Sequence, residues 1–243
     1  MKFTETIKRI FRRDKKTPYT GAVLLAAGGS RRMNGLDKQF LCVGGTPVLI
    51  RSIENFEKAE TINEIVVVTQ KEKIPLFSAL FGEYDFHKIK AVVAGGETRS
   101  DSVRMGIAAL SEECDFIALH DGARPFADAA LIDKVSRCAY KNGAALPCLP
   151  VTSTVKRVDK NGRITETVDR DTLRLAQTPQ TFKAGLFRDL LLTDTQTDRT
   201  DDSMLFEKYG KPVFAVAGDE KNIKITTQAD LILAEKIALE EEK

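Results

Sequence analysis

Residues 22–33 read Ala22-Val23-Leu24-Leu25-Ala26-Ala27-Gly28-Gly29-Ser30-Arg31-Arg32-Met33, and Lys38 follows six residues beyond Arg32. An apolar run of strand length passes into small residues and glycines and then releases two arginines. A buried parallel strand that ends in an anion-gripping loop has this pattern. Gly28 and Gly29 carry no Cβ, so the backbone can bend sharply and approach a ligand. Successive N–H groups in such a loop form a concavity that suits phosphate oxygens. Arg32 offers a planar fork of donors and Lys38 a mobile point charge. Neither common glycine fingerprint is present. The absence of G-x-x-x-x-G-K-[ST] and of G-x-G-x-x-G argues against a P-loop NTPase and a dinucleotide dehydrogenase.

Working outward, apolar strand runs alternate with helical spacings. Thr46-Pro47 predicts a helix start, with a hydroxyl cap and proline at the first helical position. Leu49, Ile53 and Phe56 then keep one face apolar. Strands are predicted at 65–69, 89–93, 116–120 and 144–151, and helices at 72–81, 100–110 and 129–141. A helix near 184–192, a strand at 213–217 and a closing helix from about Gln228 complete the series. This alternation predicts an α/β fold, a doubly wound, mostly parallel, Rossmann-like sheet. Ligands of such sheets sit beyond the carboxyl ends of the strands. Three polar clusters fall there: the loop after Ala27, the turn Gly95–Arg99, and Asp121–Arg124.

Residues 152–170 break the pattern. Short β-type runs flank Asp159-Lys160-Asn161-Gly162, and Asn-Gly is a strong hairpin signal. A hairpin inserted into a βα series projects as an arm, and an isolated hairpin is marginal in water. It is expected to pack on something, most economically on a second copy. Residues 1–18 form a basic extension with seven basic and two acidic side chains, and Phe3, Ile7, Ile10 and Phe11 fall on one helical face. Residues 19–243 read as a single domain with the arm at about 152–170.

The chain has 243 residues, 42% hydrophobic and 30% charged, with a net charge of +2, so nothing global points to nucleic acid. Four cysteines without C-x-x-C spacing and only two histidines argue against a zinc site or a disulfide framework, and fit a reducing, cytoplasmic location. No apolar run approaches membrane-spanning length. A basic amphipathic stretch such as 1–18 can lie on an anionic membrane, but it is read as a solvated extension, so no membrane association is expected.

Asp121, at a strand end, is placed to hold Mg²⁺, which takes few protein ligands and keeps several waters. A capping Asp in a turn, or a structural Asp121–Arg124 bridge, remains open at this point. His120 reads as a hydrogen-bonded structural histidine rather than a base. No G-x-S-x-G elbow and no H-E-x-x-H occur. Glycine amides, arginines, lysines and one carboxylate suit phosphoryl or nucleotidyl transfer, where positioning and charge stabilisation dominate.

Ala26-Ala27-Gly28…Arg32-Met33…Lys38-Gln39-Phe40 resembles the opening signature of the polyol-phosphate cytidylyltransferases. Gly95-Gly96-Glu97-Thr98-Arg99-Ser100-Asp101-Ser102-Val103, His120-Asp121-Gly122-Ala123-Arg124-Pro125, Thr178-Pro179-Gln180 and Asn222-Ile223-Lys224-Ile225-Thr226 match later blocks in order. The resemblance runs from Gly21 onward and implies CTP and a polyol phosphate as substrates. It implies that Ala26, Ala27 and Gly28 line the triphosphate site and that Gly96, Glu97 and Ser102 select cytosine. Asp121 is expected to hold Mg²⁺, Arg32 and Lys38 to stabilise the α-phosphate, and Lys224 to sit near the transferred phosphate. Thr154 and Arg170, on an arm that in the family reaches into the partner of a homodimer, are expected to help bind the polyol phosphate. Ala123 favours methylerythritol phosphate over ribitol 5-phosphate as that polyol. Three departures stand out: Ser30 for a glycine, Asp37 for a proline, and Ser153 for an acidic residue. Ser30 and Ser153 are also the only support for a nucleotide-binding module without turnover.

Overall fold

The computed structural model describes residues 17–28, 40–194 and 199–241. Ser30, Arg32, Asp37, Lys38 and the basic stretch up to residue 16 lie outside the described residues. In chain order the elements begin with strands β1 (Thr20–Leu25), β2 (Cys42–Val43) and β3 (Thr46–Pro47), helix α1 (Val48–Lys58) and strand β4 (Glu64–Thr69). Helix α2 (Ile74–Phe81), β5 (Ile89–Ala94), α3 (Arg99–Ala108), β6 (Phe116–Asp121), α4 (Ala129–Asn142) and β7 (Ala144–Pro150) follow. Then come β8 (Val155–Val158), β9 (Ile164–Val168), β10 (Arg174–Ala176), β11 (Gln180–Lys183), α5 (Ala184–Thr193), α6 (Ser203–Lys208), β12 (Phe214–Ala217) and α7 (Gln228–Glu241).

The main sheet runs β5-β4-β1-β6-β11-β7, with β10 and β12 also on β7. β1 pairs in parallel with both β4 and β6, β4 with β5, and β7 with β12. β10 and β11 are the antiparallel members. The predicted doubly wound sheet is therefore present, with one antiparallel segment inserted between β6 and β7. The four residues of β11 follow Pro179 and alternate too briefly to announce a strand.

Period-two alternation explains the layers. Val23, Val66, Val68, Ile117 and Leu119 point to one face, against Val103 and Ile107 of α3, Phe187 of α5 and Phe206 of α6. Ala22, Leu24, Ile65, Val67 and Ala118 point to the other, against Ile53 and Phe56 of α1, Phe77 of α2 and Ile132 of α4. Each fully buried Val, Leu, Ile or Phe side chain among these contributes about 1.5–3 kcal/mol. Burial on both faces is why the central strands read as continuous apolar runs.

Two local expectations change. Thr46 does not cap α1: Thr46-Pro47 form β3, paired with β2, and Pro47 stands at the cap without a side-chain bond. The Val48 N–H is donated to Leu41 O at 2.9 Å instead of to a capping hydroxyl. The hairpin is present as a separate two-stranded sheet of β8 and β9. Its turn closes with Gly162 N–H donating to Asp159 O at 3.0 Å, and Gly162 has φ +81°, so the left-handed residue follows the turn rather than sitting inside it.

Candidate active site

The chain reverses strand order between β1 and β6, since β1 leads to β4 on one side and β6 lies on the other. A cleft of about 260 Å³ opens at the carboxyl ends there, with Ala27, Gly28, Gly96, Glu97, Ser102, Asp121 and Lys224 on its walls. These residues come from four separate stretches of chain, which the crossover topology gathers at one switch point.

The Gly95–Arg99 turn is fixed by its own side chains. Thr98 caps α3 through a capping box: Thr98 Oγ1 accepts the Asp101 N–H at 3.0 Å, and Asp101 Oδ2 accepts the Thr98 N–H at 3.1 Å. Buried Ser102 accepts the Gly96 N–H at 3.2 Å and donates to Thr98 O at 3.1 Å. Glycine is required here by close approach. A Cβ on Gly96 would lie 2.3 Å from Asp101 Cβ, and one on Gly95 2.6 Å from Ala27 Cβ. Ala26 sits beneath the cleft with its N–H donated to Val68 O at 2.7 Å. That amide is committed to the sheet, so Ala27 and Gly28 are the members of this trio that border the cavity.

Asp121 is the electrostatic centre. Lys224 Nζ lies 2.7 Å from Asp121 Oδ2, Arg124 Nε 3.8 Å from the same oxygen, and Arg99 Nη2 3.8 Å from Oδ1. Burial pushes the carboxyl pKa up, but Lys224, Arg99 and Arg124 together outweigh it and hold the group at about 2. The carboxylate is therefore ionised at neutral pH. Its main partner is Lys224, 103 residues away in sequence, rather than the Arg124 that sequence proximity suggested. Arg124 Nη1 donates to Asn222 O at 2.7 Å instead, tying the strand end to the loop that carries Lys224.

His120 is fully buried, and burial lowers its pKa to about 4. A carbonyl only accepts, so the 3.1 Å contact of Nε2 with Arg124 O puts the ring proton on Nε2. Nδ1 then accepts from Thr178 Oγ1 at 3.0 Å, and the same hydroxyl oxygen accepts the Asp121 N–H at 3.1 Å. His120 is a neutral strut for Asp121, as expected of a structural histidine. Gln177 was not singled out from the sequence. Its amide donates to Asp219 O at 2.8 Å and Asn222 O at 3.1 Å and accepts the Asp219 N–H at 3.2 Å, pinning the turn before Lys224.

Thr154 and Arg170 do not border this cleft. Both are exposed at the base of the hairpin, where Arg170 donates to Thr152 O. Among the described residues no group of three or more His, Cys, Asp or Glu side chains is gathered as a metal cluster. Asp121 alone fits a divalent cation of the Mg²⁺ type, which takes one or two carboxylates together with substrate phosphates and waters. Lys224 engages Oδ2, and Arg99 Nη2 stands 3.8 Å from Oδ1.

A Rossmann-like sheet with a glycine-walled, cationic cleft and one ionised carboxylate at its switch point defines a nucleotidyltransferase. The family model described as 2-C-methyl-D-erythritol 4-phosphate cytidylyltransferase (IspD) matches residues 20–240, and the chain belongs to that family. A relative of that name from Geobacillus kaustophilus is 40% identical over 220 residues, covering 89% of this chain and 95% of its own. Another, from Clostridium botulinum (strain Loch Maree), is 38% identical over 218 residues, covering 88% and 95%. The crystal structure of 4-diphosphocytidyl-2C-methyl-D-erythritol synthase from Anaerococcus prevotii superposes with a TM-score of 0.82 at 32% identity, over 92% of this chain and 97% of that one.

Proposed function

We propose that this chain transfers the cytidylyl group of CTP to 2-C-methyl-D-erythritol 4-phosphate, forming 4-diphosphocytidyl-2-C-methyl-D-erythritol and pyrophosphate in the non-mevalonate route to isoprenoid precursors. The observation that carries this reading is the ionised Asp121 at the switch point, ringed by Lys224, Arg99 and Arg124. The phosphate oxygen of the polyol attacks the α-phosphorus in line. One P–O bond forms, the bond to the bridging oxygen of pyrophosphate breaks, and no proton needs to move because the nucleophile is already an anion.

The chain's own groups position and neutralise. Gly96, Glu97 and Ser102 are assigned to the cytosine, and Ala27 and Gly28 border the triphosphate. Lys224 is assigned to the transferred phosphate, and Arg32 and Lys38 to the α-phosphate. Asp121 would hold Mg²⁺, which supplies charge neutralisation to the phosphates when bound. Thr154 and Arg170, exposed at the base of an arm, are assigned to the polyol phosphate in the partner of a homodimer. The four free cysteines suit the reducing, cytoplasmic location assigned here, and among the described residues no helix is long and apolar enough to cross a membrane.

Pyrophosphate release with CTP, Mg²⁺ and each of two polyol phosphates tests the reading. Turnover of the methylerythritol phosphate is expected. Turnover of ribitol 5-phosphate alone, or CTP binding without release from either, overturns it.

A further inference from the structure

Arg99 stands between two carboxylates. Its Nη1 donates to Asp202 Oδ1 at 2.8 Å and its Nη2 to Asp202 Oδ2 at 2.6 Å, a paired fork. The same Nη2 lies 3.8 Å from Asp121 Oδ1. Asp202 is 3% exposed at the entry to α6 and reaches the cleft only through this guanidinium. Around Asp121, Lys224 occupies Oδ2, and Arg124 approaches that same oxygen. Arg99 approaches the other oxygen, Oδ1.

We propose that Asp202 is a positioning residue: its fork on Arg99 keeps that guanidinium off Asp121 Oδ1 and so keeps one carboxylate oxygen open to the divalent cation that accompanies CTP. This rests on the reading of Asp121 as a cation ligand. Without the fork, the half-buried Arg99 still has Asp121 beside it, and a shift of about 1 Å closes that 3.8 Å separation to a direct hydrogen bond. Burial raises the pKa of Asp202 and Arg99 lowers it, so the pair is held together by mutual charge in a poorly solvated place. Partners one step removed from a metal ligand change metal affinity by about 10–100-fold when removed.

The test is calorimetric and needs no turnover. CTP binding is measured with the full chain in EDTA and again in excess Mg²⁺, and the gain in affinity on adding Mg²⁺ is compared across variants. Asp202→Asn is expected to cut that gain by about tenfold or more. Asp202→Asn combined with Arg99→Met removes both the fork and the competing cation and is expected to restore it, which a merely structural role does not. Arg99→Lys keeps the charge but loses the paired donors, and tests the same point if Asp202→Asn does not fold; its gain is expected to fall as well. An undiminished gain in Asp202→Asn or Arg99→Lys, or no recovery in the double variant, overturns the proposal. Asp121→Asn separates the two readings: if it too keeps the full gain, or if the wild type shows none, the assignment of the cation to Asp121 is what fails.

Discussion

Two side chains at the residue scale have measurable consequences. His120 is one of only two histidines and is held neutral by burial, with its pKa lowered to about 4. In the unfolded chain the ordinary value is about 6.5, so the unfolded state binds a proton first as pH falls. Stability from this group is complete above about pH 6.5 and is lost as pH drops toward 4. Urea unfolding should show a loss of about 2 kcal/mol from this group between roughly pH 7 and pH 5. His120→Gln should flatten that slope, and an unchanged slope would show that other groups carry it. Arg32 and Lys38 rest on the signature. Alanine at either is expected to lower kcat by about 10²–10³ with little change in CTP affinity, since their charges meet oxygens whose negative charge grows in the transition state. Near-normal kcat in either variant removes its assignment. Asp121 was legible as a candidate site carboxylate because it ends a strand. Its engagement with Lys224 was not legible, and neither was the Arg99–Asp202 fork, because no local pattern links residues about a hundred positions apart.

Among elements, α3 decides where the Gly95–Arg99 turn sits, and its seat is Gly106. A Cβ there would come 2.4 Å from Val23 Cγ1 and 2.7 Å from Val68 Cγ2, both in the fixed core of β1 and β4. Gly106→Ala gains about 1 kcal/mol in helix propensity, but overpacking a rigid core costs about 1–3 kcal/mol. Crowding wins, so a lower Tm is expected, and a raised Tm would show that α3 can lift off without cost. The central strands and most helices were legible because burial on both sheet faces writes long apolar runs and 3.6-residue periods. β10, β11 and the ladder of β2 with β3 were not. Each holds four residues or fewer, and their pairing comes from distant partners rather than from their own pattern.

For the whole molecule, the cleft on one chain lacks Thr154 and Arg170, and an intersubunit arm would supply them. Arg170→Ala and Lys38→Ala chains are each expected to be nearly inactive. Mixed heterodimers would hold one intact site, restoring up to about one quarter of wild-type activity after equal, random exchange under two-fold symmetry. Heterodimers that form without rescue overturn the shared site. The hairpin of β8 and β9 shares no ladder with the main sheet, and Val158 and Ile164 leave 57% and 62% of their surface exposed. Opening it therefore breaks no hydrogen bond of the main sheet and releases little buried apolar area, so its opening free energy is set apart from that of the core. Deuterium should enter the amides of residues 155–168 long before those of β1, β4 and β6. If a second copy clamps the arm, that uptake should slow as protein concentration rises, while the core amides stay indifferent to dilution.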